Sequence, residues 1–118
     1  MKARIPDVKC LAVEPVNWPG WIDPLSQEAK FVPGITGGII EEIQRSGLVD
    51  EIAYVGNEDA KDTAYRLSRM EGVFCGMSTG ANVYVALKAA KKLKAGSNVV
   101  TCAVDRGDRY FSDERFIT

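Results

Sequence analysis

The residues most suited to chemistry in this chain form a short run, Gly76-Met-Ser-Thr-Gly80, at the start of an apolar segment. A Ser or Thr at a helix N-cap accepts a backbone N–H that the helix itself cannot satisfy. The other N–H groups of such a turn and the positive end of the helix dipole point outward, where an anion or a polar ligand edge fits. The same residues also suit an ordinary capped helix with glycines in a tight turn, so the run alone does not identify a binding site.

Composition excludes several other chemistries. The 118 residues contain no histidine, which removes every histidine-based catalyst, and the three cysteines form no C-x-x-C pair, which argues against a zinc site. Cys10, Cys75 and Cys102 each lie in an apolar stretch and are predicted to be buried free thiols in a reducing cytoplasm. Lys and Arg together number 15 against 16 for Asp and Glu, so no charge asymmetry points to nucleic acid or a membrane surface.

Three apolar runs predict β-strands in a single domain. They are Lys9–Glu14, Glu51–Val55 and Asn98–Val104, and the last is apolar enough to lie centrally in a parallel sheet. Strands that alternate with helices predict an α/β fold with right-handed crossovers. Ligands bind outside the carboxyl ends of such strands. We therefore expect the Ser78-Thr79 turn and the charged turn Asp105–Tyr110 on the same rim of the sheet.

Two helices are predicted between the second and third strands. The first begins with Asn57 as its N-cap and ends at Gly72, and its apolar residues recur at the spacing of one buried face: Ala60, Ala64, Leu67 and Met70. The second, Thr79 to Leu93, is apolar nearly all round, so we expect it to be largely covered.

A long segment from Pro15 to Gly38 is predicted to be a loop, because proline and glycine recur along it. It contains Trp18 and Trp21, and a loop of this length in a compact domain is typically functional or a partner surface. A short helix, Ile39 to Arg45, is predicted to follow and to be closed by Gly47. The glycines at 34, 37 and 38 do not form G-x-G-x-x-G and follow no strand, which rejects a dinucleotide fingerprint.

Five stretches in this order resemble the C-terminal portion of cysteine synthase (O-acetylserine sulfhydrylase), a fold-type II enzyme dependent on pyridoxal 5′-phosphate (PLP). Val8–Pro15 is similar to the family's V-E-P strand, Gly34–Gly38 to its GIGAG loop, Leu48–Ile52 to LVDEV, Glu71–Ala81 to EGIFCGxSSGA and Asp105–Ser112 to DRGDRYLS. The last two forms look closest to the B-type branch. The resemblance implies an α/β fold, a parallel-sheet, Rossmann-like three-layer piece of the larger domain, with residues 1–118 as a single partial domain.

The resemblance also implies roles for individual residues. Ser78 matches the hydroxyl that faces the pyridine nitrogen of PLP; a neutral group there leaves that nitrogen largely unprotonated and suits β-elimination. Thr79 and Gly80 would bind the cofactor by shaping the same turn. The substrate side would be lined by Gly34, Ile35, Thr36, Gly37 and Gly38. Asp105 and Arg106 fall just behind the cofactor contacts, and we expect both to turn outward or to pair with each other.

Two simpler interpretations of the charged turn stay open. Its four charges can form a salt-linked turn that fixes the C-terminal segment or a dimer: Asp105, Arg106, Asp108 and Arg109. Tyr110 and Phe111 suit a core or an interface better than a cofactor contact.

The resemblance implies, finally, that much of the active site lies elsewhere. The Schiff-base lysine, the substrate-carboxylate loop and the GTGGT phosphate cradle belong to an N-terminal half that these residues do not match, so this chain is expected to hold no catalytic residue. The implied enzyme is cytoplasmic and homo-oligomeric, and it makes L-cysteine from an amino-acid substrate, O-acetylserine or O-phosphoserine, and sulfide by β-elimination and addition. Cystathionine β-synthase and serine or threonine dehydratase are alternatives within the family. A free-standing, non-catalytic chain that assembles with a second chain is the alternative from another class.

Overall fold

Two short strands pair in parallel and carry the rest of the described structure. The computed structural model describes residues 1–16 and 45–112. Strand β1 is Leu11–Pro15 and strand β2 is Glu51–Val55. Leu11 lies opposite Glu51 and Pro15 opposite Val55. These two predicted strands are confirmed, β2 with the same bounds and β1 displaced to Leu11–Pro15 from the predicted Lys9–Glu14.

Asp50 fastens the start of the chain to this sheet. Its Oδ2 accepts the Cys10 N–H at 2.7 Å, and its Oδ1 pairs with the Lys2 ammonium at 2.7 Å. The Cys10 hydrogen bond and then the Lys2 hydrogen bond lower the pKa of the Asp50 carboxyl below its ordinary value. The N-terminal residues therefore lie against the loop that leads into β2.

Helix α1, Asn57–Glu71, leaves the carboxyl end of β2. The prediction that Asn57 caps it is wrong, because the N-cap is Gly56, in an extended conformation at φ −82°, ψ 157°, and Asn57 is the first helical residue. The predicted end is confirmed: Gly72 is left-handed at φ 68° and donates its N–H to the Leu67 carbonyl. Of the predicted face, Ala60 and Ala64 are buried, whereas Met70 is 68% exposed.

Helix α2, Met77–Ala90, packs across α1 and over the sheet. It begins two residues before the predicted start at Thr79 and ends three before Leu93, where a turn takes over. Its buried residues are concentrated in the first turns: Met77, Ser78, Thr79, Gly80, Ala81 and Val85. The expectation that this helix is largely covered is wrong for its second half, where Leu87 is 51% exposed.

The core lies between the sheet and the two helices. Its buried members are Val55, Ala60, Met77, Ala81 and Val85, and Val13, Ala53 and Tyr84 pack against them. Most are small residues, so the two helices approach closely. Burial of apolar surface stabilises a fold by about 25 cal/mol per Å² removed from water. Because small side chains bury little area, this core contributes modestly to the free energy of unfolding.

The segment 98–104 is the main departure from the predicted fold. The prediction of a central strand is wrong for the described residues, whose one sheet consists of β1 and β2. The whole segment is exposed, and Val100 is 85% accessible. Two side chains of α2 hold it in place: Asn82 donates to the Cys102 carbonyl at 3.1 Å, and Thr79 accepts the Val104 N–H at 3.0 Å. A β-forming sequence becomes a strand only where a neighbour completes its ladder.

The remaining expectations are confirmed, contradicted or outside the described residues. Gly47 has φ 69°, as a helix-closing glycine does, but the predicted helix Ile39–Arg45 and the loop Pro15–Gly38 lie almost wholly outside the described residues. All three cysteines are free thiols, and only Cys75 is buried as predicted, since Cys10 is half-buried and Cys102 exposed. No helix in ranges 1–16 and 45–112 is long and apolar enough to cross a membrane.

Candidate functional site

The predicted hydroxyl pair lies inside the first turn of α2 rather than at its cap. Gly76 is the N-cap, extended at φ −91°, ψ −176°, and no side chain of its own caps the helix. Ser78 and Thr79 are therefore the second and third helical residues, with exposed fractions of 4% and 1%. The N-cap role expected for this pair is wrong, and their N–H groups are the donors that need a partner.

Asp105 supplies that partner from the end of the exposed segment. Its Oδ2 accepts the Ser78 N–H at 3.1 Å and its Oδ1 accepts the Thr79 N–H at 2.9 Å. The expectation that Asp105 turns outward or pairs with Arg106 is wrong. Asp105, which lies 27 residues from Ser78 in the sequence, therefore caps this helix in place of the local Ser or Thr that usually does so.

The Thr79 hydroxyl joins the same two segments a second time. It donates to Asp105 Oδ1 at 2.5 Å and accepts the backbone N–H groups of Val104 and Asp105 at 3.0 and 3.3 Å. One hydroxyl proton and two lone pairs are thereby used within the protein. The geometry gives Thr79 a structural task, and its predicted contact with a cofactor stays a prediction.

Tyr110 completes the cluster from the 3₁₀-helix Gly107–Tyr110. Its phenol donates to Asp105 Oδ2 at 2.8 Å and also shares a hydrogen bond with the Ser78 hydroxyl. Gly76 is the point where these groups crowd the backbone. A Cβ there would lie 2.7 Å from the Asp105 carboxyl carbon and closer still to Oδ2 and the tyrosine ring, so only glycine fits.

The cluster shifts the protonation of each member. Burial raises the pKa of Asp105, but the bonds from the Thr79 hydroxyl, the Tyr110 phenol and the two backbone N–H groups outweigh it and hold that pKa below its ordinary value. Burial, and then Asp105, raise the pKa of the Tyr110 phenol. Burial also raises the pKa of the Cys75 thiol, to which the Asp105 charge adds. At neutral pH the cluster therefore holds one carboxylate surrounded by protonated donors.

Gly80 faces the other helix. A Cβ on it would lie 2.9 Å from the Ala64 nitrogen and closer still to the Ala60 carbonyl oxygen, both backbone atoms of α1. The absence of a side chain thus lets the two helices meet two residues after Ser78. This gives Gly80 a packing task, and its predicted part in cofactor binding stays a prediction.

The rest of the charged turn faces outward. Arg106 pairs with Asp108 at 3.0 Å, and the Arg106 side chain is 81% exposed, so the expected outward orientation holds for this residue. The salt-linked turn is therefore present in part, without Asp105. Phe111 is 63% exposed and stacks on Phe74 with ring centroids 5.7 Å apart. The predicted substrate loop Gly34, Ile35, Thr36, Gly37 and Gly38 lies outside the described residues, as do Trp18 and Trp21.

Two features were missed at the sequence level. Asp105 was expected near the cofactor contacts and Tyr110 in a core or interface, but neither was predicted to cap α2 or to form the cluster. The available signal was an aspartate directly after an apolar run, where an extended segment can bring a carboxylate to a neighbouring helix end. Glu14 is the other: it is 7% exposed at the end of β1, and burial raises the pKa of its carboxyl. No group of metal-ligating side chains occurs within ranges 1–16 and 45–112.

Comparison with known proteins identifies the family. Residues 1–105 match the pyridoxal-phosphate dependent enzyme family. The chain belongs to this family. Its similarity extends to the cysteine synthase of Staphylococcus aureus, 32% identical over 95% of the chain, and to the probable cysteine synthase of Bacillus subtilis, 34% identical over 97%. The chain spans 36% of the length of each of these relatives.

Solved structures place the fold among the fold-type II members of the pyridoxal-phosphate dependent enzymes. The chain superposes on the O-acetylserine dependent cystathionine β-synthase of Helicobacter pylori with a TM-score of 0.82 at 29% identity, covering 98% of this chain and 37% of that one. It superposes on the cysteine synthase of Entamoeba histolytica with a TM-score of 0.79 at 31% identity, covering 99% and 35%. The predicted family and fold class are confirmed.

Membership of the pyridoxal-phosphate dependent enzymes implies PLP as the cofactor, and the cluster fits one end of it. Asp105 occupies the Ser78 and Thr79 N–H groups in the first turn of α2, so an anionic phosphate there would meet a carboxylate. A hydroxyl beside them suits the uncharged nitrogen edge of a pyridine ring. The described residues therefore fit the ring end of the cofactor rather than its phosphate.

Proposed function

We propose that this chain forms one wall of the active site of a PLP-dependent cysteine synthase. The full enzyme would make L-cysteine from O-acetylserine or O-phosphoserine and sulfide by β-elimination and addition. The observation that carries the proposal is the Ser78 hydroxyl in the first turn of α2, beside a carboxylate that already satisfies the helix end. The similarity to two cysteine synthases over nearly the whole chain supports this choice of reaction.

The residues of the chain would act by holding and orienting. PLP, when bound, supplies the electron sink that makes loss of the β-substituent possible. In the complete site the Ser78 hydroxyl would turn from the Tyr110 oxygen to donate to the ring nitrogen, and its burial would strengthen that bond because the surroundings are of low dielectric. Asp105 and Thr79 would keep this turn in place, while the loop Gly34–Gly38 would approach the substrate closely through its backbone.

The other parts of the site would come from outside residues 1–118. In this proposal the chain is a partial domain, and the Schiff-base lysine and phosphate cradle belong to an N-terminal portion on the same or a second polypeptide, in a cytoplasmic homodimer. The relatives are nearly three times as long as the stretch this chain matches, which supports that arrangement. Solved neighbours include a cystathionine β-synthase and an O-ureido-L-serine synthase, so a different acceptor in the second half-reaction is the alternative within the family.

A second candidate from another class is a non-catalytic chain that assembles with a partner. The exposed, β-forming segment 98–104 favours it, since such a segment in isolation is a template for pairing. The intact mass of the protein from its source separates the two. A mass of 12.9 kDa supports a separate chain, and a far larger mass supports a longer enzyme.

The function is tested by complementation. The chain would be mixed with the N-terminal two thirds of the S. aureus cysteine synthase, and cysteine formation from O-acetylserine and sulfide would be measured. We expect activity from the mixture and none from either part. With PLP and borohydride, the chain alone should fix cofactor to no single lysine; one dominant labelled lysine in this chain would contradict the proposal, as would a mixture that binds PLP but forms no cysteine.

Ser78→Ala is expected to weaken PLP binding or slow elimination in the complemented enzyme by roughly fivefold to tenfold, which is about 1 kcal/mol for one lost hydrogen bond. The measurement is PLP affinity from absorbance together with the rate of the elimination half-reaction. Ser68→Ala, at a half-buried position in α1, is the matched control and should change neither quantity. An unchanged affinity and rate in Ser78→Ala would remove this residue from the site.

A further inference from the structure

Glu14 carries a buried carboxyl group that has no partner among the described residues. It lies near the end of β1 and is 7% exposed. Within ranges 1–16 and 45–112, no hydrogen bond or ion pair joins its carboxyl group to another residue. A buried carboxylate without a partner destabilises a fold, because the charge loses hydration and gains no donor. None of the described residues offsets this effect.

The Glu14 side chain points to the face of the sheet opposite the helices. The preceding residue, Val13, packs against the core between the sheet and the two helices, and successive side chains of a strand point to opposite faces. Tyr54 lies opposite Glu14 in the register of the two strands and therefore shares its face. The Glu14 carboxyl thus belongs to the face of the sheet that α1 and α2 do not cover.

This face is open beside Glu14. Tyr54 is 56% exposed, and neighbouring strands lie about 4.8 Å apart, so solvent begins one side chain away from Glu14. Among the described residues, the one fully buried side-chain polar atom without a partner is Asn57 Oδ1, so the Glu14 carboxyl oxygens keep some contact with solvent. A donor group from outside can therefore reach the carboxyl past Tyr54.

We propose that Glu14 is a docking residue for the N-terminal portion of the enzyme, which supplies a lysine or arginine side chain to its carboxylate beside Tyr54. A cation suits this position better than a neutral donor, because hydrogen bonds between ionised groups are about twice as strong as neutral ones. The inference rests on the proposed function, in which relatives nearly three times as long as the matched stretch indicate the portion that would carry the cation.

Docking of this kind is coupled to proton release. Burial raises the pKa of the Glu14 carboxyl, so the free chain keeps it protonated to a higher pH than an ordinary glutamate. A cation beside it lowers that pKa, so the complex holds the ionised form. Association should therefore strengthen as pH rises from the pKa in the complex to the pKa in the free chain, by up to about tenfold per pH unit. Tyr54 is the titratable side chain that faces Glu14 from β2, whereas α1 and α2 pack on the other side of the sheet.

The test measures the affinity of the chain for the N-terminal two thirds of the S. aureus cysteine synthase from about pH 5 to about pH 8. The two parts are produced together, and dissociation of the purified complex is followed on dilution. Glu14→Gln removes the charge at constant size, and we expect it to lower the affinity at neutral pH by about tenfold or more and to flatten the pH dependence. Glu51→Gln changes an exposed glutamate on β2 and should match wild type in both respects.

The same variant should stabilise the isolated chain, an effect opposite to that of removing a structural ion pair. At neutral pH, Glu14→Gln should unfold at a higher urea concentration than wild type, because the unpaired carboxylate is gone. The difference should disappear below about pH 4, where the carboxyl is protonated in both the folded and the unfolded chain. A Glu14→Gln chain that is less stable than wild type at neutral pH would show that the carboxylate has a partner within the chain, and it would overturn the inference.

The outcomes separate this inference from the proposed function. If Glu14→Gln and wild type associate with equal affinity and equal pH dependence, the docking role is wrong, and cysteine formation by the wild-type mixture would leave the proposed function standing. A complex whose affinity depends on Glu14 but that forms no cysteine would support the docking role and contradict the proposed function. Failure of the wild-type parts to associate would overturn both.

Discussion

Gly80→Ala is expected to destabilise the chain by about 3 kcal/mol or more, enough to unfold a domain with so small a core. The added methyl group would lie 2.9 Å from the Ala64 nitrogen and closer still to the Ala60 carbonyl oxygen. Both are backbone atoms of a helix, so no side-chain rotation relieves the clash. The two helices would have to separate, and the core residues Ala81 and Val85 on α2 would lose their cover.

The measurement is urea-induced unfolding followed by circular dichroism, with the free energy extrapolated to water. Gly56→Ala is the matched control, because its φ is negative and the nearest atom to a new Cβ is Asp59 Oδ2 at 3.7 Å. We expect it to cost less than about 1 kcal/mol, as a change at an N-cap without strain. A Gly80→Ala chain within 1 kcal/mol of wild type would mean that α1 and α2 do not pack as described.

The site depends on the same contact. Ser78 lies two residues before Gly80 in the first turns of α2, so the approach of α2 to α1 sets where that hydroxyl lies relative to the sheet. A substitution far from any ligand can therefore disable the site by moving a helix. This is the reason to measure stability before activity for any variant in the stretch 76–81.

Local chemistry explains what the sequence predicted well. β2 was found with its bounds because Glu51–Val55 is a short apolar run between turn residues, and α1 ends at Gly72 because only glycine adopts the left-handed cap at no steric cost. The family was identified from five short motifs, and the match to the family over residues 1–105 confirms it.

Non-local contacts explain what it missed. The start of α2 differs from the prediction because Asp105 caps it from a distance, and nothing within four residues of Ser78 signals that carboxylate. Asn57 fails as a cap because Gly56 already has the extended conformation of an N-cap residue. The segment 98–104 has the composition of a β-strand, but no strand pairs with it among the described residues. Composition indicates a preference for β structure and does not show whether a pairing strand is present.

Val100→Asp is expected to lower the affinity of this chain for the N-terminal portion of a cysteine synthase by about a hundredfold or more. Val100 is 85% exposed in a segment whose sequence is that of a buried parallel strand. In the proposed enzyme, strands from the N-terminal portion complete the ladder of 98–104 and bury its side chains. A carboxylate buried there without a partner costs several kcal/mol, and each 1.4 kcal/mol is a factor of ten in affinity.

The same change should hardly alter the isolated chain, because an exposed side chain away from the core contributes within about 0.5 kcal/mol to stability. Equal unfolding free energies for Val100→Asp and wild type would thus separate a lost interface from a lost fold. Met70→Asp is the matched control: it places the same charge at a 68% exposed apolar position on α1, and it should bind the N-terminal portion as wild type does. Calorimetric titration of each chain with the S. aureus N-terminal two thirds gives the affinities. Equal binding by Val100→Asp and Met70→Asp would show that the segment 98–104 does not form the interface with the N-terminal portion. A charge on the buried face of a strand within a sheet would lower the affinity.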